Sequence, residues 1–150
     1  MQTSEEHHYN VDIDWKSGRV GSMSSPELEE SLEIATPPEF PGGVEGIWSP
    51  EHLFVASVSS CFMTSFTAIA EYSKFEFESL KVNSSGVMSR EDGKYVMSKV
   101  ILKPVLEISD EKYEKKAYRL LEKAEEICLI SRSIKSEIEF HPQVRLLVND

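Results

Sequence analysis

The sequence contains few cysteines and is poor in basic residues relative to acidic ones. Among 150 residues there are two cysteines, and 16 Lys and Arg stand against 26 Asp and Glu, a formal net charge of -10. Nucleic acids and anionic membranes are bound through clustered Lys and Arg side chains. We therefore expect neither nucleic acid nor a membrane as a partner.

The first ten residues also lack the basic start and apolar stretch of a signal peptide, so we expect a cytoplasmic protein. Two cysteines in a reducing compartment rarely form a permanent bridge. Cys61 and Cys128 are thus either inert buried thiols or a working redox pair. A chain of this length can bury a sufficient core without metal or disulfides, and we expect a single domain over residues 1–150.

Several motifs of enzyme chemistry are missing: GxGxxG, the P-loop, GxSxG, HExxH and CxxC. The adjacent His7 and His8 would point to opposite faces of a strand, which makes chelation of one metal ion difficult. We therefore expect no bound cofactor and no metal.

Hydrophobic patterning predicts strands at both ends of the chain and two helices. Alternation over residues 8–16 predicts a strand with one wet face, followed by a turn at Ser17-Gly18 and strands over 19–23 and 31–35. Residues 36–49 hold six Pro and Gly, which predicts an irregular loop, either functional or a plain connector. Residues 75–90 and 95–107 predict a hairpin around Asp92-Gly93. Pro104 indicates an edge or an end of pairing.

The first helix has a clear start, with Ser49 as cap, Pro50 in the first turn and Glu51 beside it. Residues 53–70 then carry no charge, which predicts a helix buried on all sides. The segment is long enough for a membrane span, but six of its eighteen residues are Ser or Thr. Because one chain can hardly enclose such a helix, we expect a homodimer.

A second helix is predicted after a cap at Ser109, with Cys128 near the end of its apolar stripe. A last strand over residues 136–148 is interrupted at Pro142. Strands and helices in this order predict an α+β fold.

A reactive thiol in an apolar setting needs a stabilised anion. No cation lies within residues 53–70, so activation of Cys61 would come from Lys16, Arg19 or Arg132. Glu51 could hold such a cation by a paired contact. Ten residues separate Glu51 from Cys61, or about 15 Å along a straight helix. Cooperation between them therefore requires a bend or contributions from two subunits.

The run Ser49-Pro50-Glu51-His52-Leu53-Phe54, then Cys61, then Cys128-Leu129-Ile130-Ser131-Arg132 resembles the OsmC/Ohr family of osmotically inducible and organic hydroperoxide resistance proteins. The resemblance extends over about residues 11–148. It implies an intertwined homodimer whose two long central helices are enclosed by antiparallel sheets from both chains.

The resemblance further implies a thiol peroxidase acting on organic hydroperoxides in oxidative stress defence. Cys61 would be the attacking thiolate and Cys128 the resolving thiol, with an external dithiol as reductant. Glu51 matches a glutamate that orients an activating arginine, and Arg19 or, in another alignment, Lys16 takes that arginine's place. The sequence departs from the family where Leu129 stands at a position that is proline in many members.

A second hypothesis keeps the dimer but not the catalysis. The Ser- and Thr-rich helix, with Phe40 and Trp48 of the loop, would line a site for a small apolar ligand between subunits. A raised pKa of the Cys61 thiol would favour binding alone, and a lowered pKa would favour the peroxidase.

Overall fold

The structure is a computed structural model that describes residues 5–147. It divides into two compact units, Met1–Leu53 and Phe54–Asp150, termed here the N-terminal and C-terminal units. A single domain over residues 1–150 stays a prediction. Val148, the predicted end of the last strand, lies outside the described residues.

The N-terminal unit contains a three-stranded antiparallel sheet in the order β1-β2-β3. Its strands are β1 (Asp12–Ser17), β2 (Val20–Ser24) and β3 (Leu32–Ala35). Gly18 makes the predicted turn with a φ of 54°, which glycine adopts without a steric penalty. The predicted first strand is four residues too long at its start. Every residue of β1 is exposed, so the expected buried face has no cover within the N-terminal unit.

Residues 36–49 form the predicted irregular loop, and hydrogen bonds fix both of its ends. The amide of Ala35 donates to the carbonyl of Trp48 at 2.9 Å, and the amide of Val44 donates to Thr36 at 2.9 Å. A lone bridge joins Ile34 to Trp48. The loop is therefore an ordered part of the N-terminal unit.

Helix α1 (Pro50–Tyr72) begins where the sequence predicts. The Ser49 hydroxyl accepts a hydrogen bond from the His52 amide at 3.1 Å, which caps the first turn. By length and composition α1 could cross a membrane. One face of it is buried, through Val58, Phe62, Phe66, Ile69 and Ala70.

In the single chain, α1 is not buried on all sides. Ser60, Met63 and Thr64 are exposed, and most of the other residues of the helix are only partly buried. One face of α1 is therefore buried as predicted, and cover of the other face by a second copy of the chain stays a prediction.

The C-terminal unit contains a mixed sheet, which corrects the expectation of antiparallel sheets throughout. Strand β4 (Ser79–Glu91) pairs antiparallel with β5 (Lys94–Ile108). Strands β6 (Glu137–Phe140) and β7 (Gln143–Leu146) both pair parallel with β5, on its other edge. The parallel pairing arises because the chain crosses back over the sheet through helices before β6.

Two features of this sheet were predicted from the sequence. The hairpin is confirmed, with Asp92 and Gly93 at φ values of 51° and 76°. Pro104 is buried in the central strand β5, so its expected place at an edge is wrong. It nevertheless lies where pairing changes, between the end of β6 pairing at Leu102 and the start of β7 pairing at Val105. The missing amide is tolerated in this gap.

The second helix is broken in two. A short 3-10 turn (Glu111–Tyr113) leads into α2 (Glu114–Ile127), and α3 (Leu129–Ser133) follows. The cap is Asp110 and not Ser109, because the Asp110 carboxylate accepts from the Lys112 amide at 3.0 Å. Cys128 lies between α2 and α3 with a ψ of 113°, outside helical geometry.

The core of the C-terminal unit joins α1, β5 and α2. Phe62 of α1 packs against Phe140 with ring centroids 5.4 Å apart, and Phe66 packs against Phe77 at the same distance. The α2 stripe contributes Ala117, Leu120, Leu121 and Ala124. This packing holds the middle of α1 against the α2–α3 break.

We expect Phe62→Ala to destabilise the protein by about 3–5 kcal/mol, because Phe62 is fully buried and its loss leaves a cavity. Urea unfolding followed by circular dichroism measures the change. Tyr72→Ala, which removes an 87% exposed ring at the end of the same helix, should change stability by less than about 0.5 kcal/mol. Equal losses in the two variants would contradict this account of the core.

Candidate active site

Cys61 lies near the middle of α1 and is partly exposed. It stands one position before Phe62, which faces the core, so its side chain lies at the border of the buried face. A sulfur in this position is held by a rigid helix and is still open to a small molecule.

Cys128 is fully buried at the junction between α2 and α3. Its sulfur lies 4.0 Å from the carbonyl oxygen of Val58, at the outer limit of a hydrogen bond. Val58 lies one turn before Cys61 on α1. The fold thus brings together two cysteines that are 67 positions apart, within hydrogen-bonding reach of each other.

The pKa of the Cys61 thiol is lowered from its ordinary value. Burial, the largest influence, raises this pKa, because it penalises the charged thiolate. The backbone amide of Ile130 and the thiol of Cys128 donate hydrogen bonds that act in the opposite direction. The hydroxyl of Ser65 and the amide of Leu129 add to them, and together these donors outweigh the effect of burial.

The pKa of the Cys128 thiol is raised. Burial is again the largest influence, and a neighbouring Cys61 thiolate disfavours a second negative charge. The Ser131 amide lowers the pKa but does not outweigh this, and the buried Ser131 hydroxyl has no hydrogen-bond partner among the described residues. Cys61 is therefore the thiol that ionises first, and Cys128 keeps its proton as a donor.

Neutral groups supply the stabilisation of the Cys61 thiolate. The sequence predicts a cation here, from Lys16, Arg19 or Arg132. Arg132 is exposed in the last turn of α3 and is not among the groups that lower the Cys61 pKa. Backbone amides can replace a cation in this role because they place fixed dipoles at the sulfur at no cost in ion desolvation.

The two candidate cations of the N-terminal unit, Lys16 and Arg19, have different surroundings. Lys16 lies 3.9 Å from Glu33 across the exposed sheet. Arg19 lies at the β1–β2 turn, and its side chain runs over Gly42 so closely that a Cβ there would be 3.1 Å from Arg19 Cγ. Within residues 5–147 Arg19 forms no ion pair. Arg19 is thus packed on the Gly- and Pro-rich loop without an ion-pair partner among residues 5–147, whereas Lys16 forms an ion pair with Glu33.

Glu51 lies in the first turn of α1, and its Oε2 atom is buried without a hydrogen-bond donor among the described residues. A buried carboxylate oxygen of this kind favours a charged partner. Helix α1 runs unbroken from Glu51 to Cys61, which places them about 15 Å apart along its axis. Helix α1 is continuous over this stretch, and a bend or contributions from two subunits both stay predictions.

Sequence reasoning did not identify four residues around the sulfurs: Ser65, Leu129, Ile130 and Ser131. Ser65 stands four positions after Cys61, a spacing that could have indicated contact on a helix. The amides of Leu129 and Ile130 carry no side-chain signal. They become available only because the helix breaks at Cys128, which the apolar periodicity does not predict.

Comparison with known proteins identifies the family. The family described as OsmC-like protein matches residues 43–142 of the chain. An uncharacterized protein of Bacillus subtilis (strain 168), YmaD, is 29% identical over 139 residues, which cover 89% of this chain and 91% of that protein.

Solved structures share the fold. An OsmC-like protein of unknown function from Vibrio cholerae has a TM-score of 0.81 at 23% identity and covers 91% of this chain and 99% of its own. An organic hydroperoxide resistance protein from Legionella pneumophila has a TM-score of 0.74 at 22% identity and covers 95% and 99%. The resemblance inferred from the cysteine and helix-start pattern is confirmed, and this chain belongs to the OsmC-like protein family, with the α+β fold of OsmC and organic hydroperoxide resistance proteins.

Proposed function

We propose that this protein is a cysteine-based peroxidase that reduces organic hydroperoxides, with Cys61 as nucleophile and Cys128 as resolving thiol. One observation carries the proposal: two contacting thiols have pKa values displaced in opposite directions, down for Cys61 and up for Cys128. Displaced pKa values in a close pair are typical of divided chemical roles. In this division, Cys61 attacks as a thiolate and Cys128 keeps its proton until the second step.

The first step oxidises Cys61. Its thiolate attacks the terminal oxygen of the hydroperoxide, a sulfur–oxygen bond forms and the oxygen–oxygen bond breaks. The leaving alkoxide takes up a proton and departs as an alcohol, and Cys61 is left as a sulfenic acid. The peroxide is thereby reduced by two electrons.

The second step uses Cys128. Its sulfur attacks the sulfenic sulfur of Cys61, a disulfide forms, and the displaced hydroxyl leaves as water with the thiol proton. Hydrogen-bonding reach between the two side chains supports this step, because little movement is needed to join them. An external dithiol then reduces the disulfide to two thiols and is itself oxidised, in a cytoplasmic setting.

Glu51 and Arg19 complete the proposal. The unpaired guanidinium of Arg19 and the unsatisfied oxygen of Glu51 are complementary, and we assign them a bidentate contact when substrate is bound. Lys16 is the weaker candidate, because it already pairs with Glu33 and lacks a planar fork.

The working form proposed here is a homodimer. The uncovered side of α1 and the exposed β1 place large apolar side chains in water: Met63 of α1 is 40% exposed, and Ile13 and Trp15 of β1 are 57% and 76% exposed. Monomers seldom leave apolar surfaces of this kind open. A second copy of the chain offers the matching surfaces at once.

The alternative is a dimer that binds a small apolar ligand without catalysis. That hypothesis expects a raised pKa at Cys61, because a thiol in an apolar binding site is disfavoured as an anion. The lowered pKa of the Cys61 thiol therefore favours the peroxidase.

Turnover is tested with an alkyl hydroperoxide and a dithiol. We expect Cys61→Ser to abolish peroxide consumption, because a serine hydroxyl is not ionised at neutral pH. We expect Cys128→Ser to permit one oxidation per chain but to block disulfide formation. Ser60→Ala, whose hydroxyl bonds only to carbonyls of its own helix, is the control and should turn over normally. Normal turnover by Cys61→Ser would refute the proposed function.

The order of ionisation is tested by alkylation. Iodoacetamide reacts with thiolates, so the alkylation rate of Cys61 should rise with pH and level off below the ordinary cysteine range, since its pKa is lowered. Cys128 should react only at higher pH. Peptide mass spectrometry at each pH follows the two residues separately. A Cys61 midpoint above that of free cysteine, about 8.5, would support the binding alternative.

Light scattering during size-exclusion chromatography tests the dimer. We expect twice the chain mass of 17.0 kDa. Met63→Glu places a charge on the uncovered side of α1 and should shift the protein towards the monomer. Lys123→Glu, on the exposed face of α2, is the control and should leave the mass unchanged. A wild-type mass of one chain would contradict the dimer.

A further inference from the structure

The hydroxyl of Ser49 is buried and takes part in two hydrogen bonds. Ser49 is fully buried at the end of the Gly- and Pro-rich loop. Its oxygen accepts from the amide of His52 at 3.1 Å, which caps α1, and lies 2.6 Å from Nδ1 of the His52 ring. A hydroxyl has one proton to donate. A buried donor without an acceptor costs free energy, so the Ser49 proton needs a partner.

That partner is Nδ1 of His52. Within residues 5–147 the Ser49 hydroxyl makes no other hydrogen bond. If Nδ1 carried a proton, the ring and the amide of His52 would both donate to the Ser49 oxygen, and the Ser49 proton would be left without an acceptor. The neutral ring therefore carries its proton on Nε2 and accepts from Ser49 through Nδ1. The hydrogen bond selects one of the two neutral tautomers of His52.

This bond spans the turn that carries Glu51. Glu51 stands directly before His52 in the first turn of α1, and its buried Oε2 atom has no donor among the described residues. The ring of Trp48 meets the His52 ring edge-on, with centroids 6.1 Å apart, and the Trp48 carbonyl accepts from the amide of Ala35 at 2.9 Å. The His52 ring thus joins the end of the loop to the turn that holds Glu51.

The arrangement requires a neutral His52. An imidazolium has a proton on both nitrogens and accepts no hydrogen bond, so the buried Ser49 hydroxyl would lose its acceptor. A positive charge in the first turn also opposes the helix dipole. Ser49 and Trp48, which contact the ring, carry no charge. His52 forms no ion pair within residues 5–147, and the adjacent Glu51 is the nearest ionisable residue along the chain.

We propose that His52 is a positioning residue for Glu51. Its neutral ring accepts the proton of the Ser49 hydroxyl, and this bond holds the first turn of α1 so that the Glu51 carboxylate can meet Arg19. The inference rests on the proposed function, since that function assigns the contact between Glu51 and Arg19. It adds a dependence on pH, because turnover should fall when His52 takes up a proton.

Nitrogen NMR of isotopically labelled protein tests the tautomer, with His52→Asn to identify the His52 signals. We expect an unprotonated Nδ1 and a protonated Nε2 in the wild-type protein above neutral pH. Ser49→Ala removes the donor, so the ring should then exchange between both tautomers. A proton on Nδ1, or exchange in the wild type, would overturn the inference.

Turnover of an alkyl hydroperoxide tests the positioning. His52→Leu removes the acceptor and should lower kcat/KM roughly two- to tenfold at about pH 8, the range of one neutral hydrogen bond. His52→Asn places an oxygen near the position of Nδ1 and should restore most of that loss. His141→Asn removes an exposed ring that lies beside Glu139, and it should turn over like the wild type. No loss in His52→Leu, or an equal loss in His141→Asn, would refute the positioning role.

The pH profile separates positioning from a merely structural role. Histidine side chains generally take up a proton between about pH 8 and about pH 5. Across this range kcat/KM of the wild type should fall more steeply than that of His52→Asn, which cannot take up a proton at this position. Ionisation of Cys61 contributes to both profiles alike and cancels in the comparison. Parallel profiles would contradict the inference.

A double variant tests the route through Glu51. In the Glu51→Gln background, His52→Leu should cause no further loss of kcat/KM, because the carboxylate that it positions is absent. A further loss as large as that in the wild-type background would show that His52 does not act through Glu51.

The two proposals fail separately, because the NMR measurement needs no peroxide. If the wild-type protein reduces no hydroperoxide but Nδ1 of His52 is unprotonated as expected, the proposed function is refuted and the bond between Ser49 and His52 stands. If turnover is normal and His52→Leu matches the wild type, only the inference about His52 is refuted.

Discussion

The contact between the Cys61 sulfur and the first amides of α3 is the interaction on which the site depends. Cys61 comes from α1, and the amides of Leu129 and Ile130 come from the chain after Cys128. The core packing of α1 against β5 and α2 holds the two parts together. Without it the sulfur would be partly desolvated and uncompensated, and an inert thiol would result. Packing and reactivity are therefore coupled in this unit.

Much of the fold could be predicted from the sequence, because local signals agree with the final structure. The Ser49 cap, the Asp92-Gly93 turn and the alternating strands act over a few residues. Features that depend on contacts between distant parts of the chain were harder to predict. The parallel pairing of β6 and β7 with β5 depends on where the chain returns after the helices, and no local pattern encodes that choice. Pro104 shows the same limit, because its tolerance depends on a gap between two partner strands.

The site could be predicted only where side chains carry the chemistry. The two cysteines are visible in the sequence, and the family resemblance pairs them. The donors to Cys61 are different, because two of them are backbone amides with no side-chain signature. A search for cations leads to Arg19, Lys16 and Arg132, none of which lies among the groups that lower the pKa of this thiol. Ser65 could have been identified by its spacing of four positions from Cys61, which indicates neighbouring side chains on a helix.

The break at Cys128 has a consequence for engineering. In an uninterrupted helix, the amides of Leu129 and Ile130 would bond to carbonyls in the last turn of α2. Here Arg132 is the residue whose amide returns to helical bonding, with the Cys128 carbonyl at 3.1 Å. A substitution that restored a continuous helix across Cys128 would give these amides helical hydrogen bonds and stabilise the region. It would also remove the amide donors from the Cys61 sulfur. A thermostabilised variant obtained in this way should have a less reactive Cys61 thiol, which is a trade-off between stability and thiol reactivity built into two consecutive peptide groups.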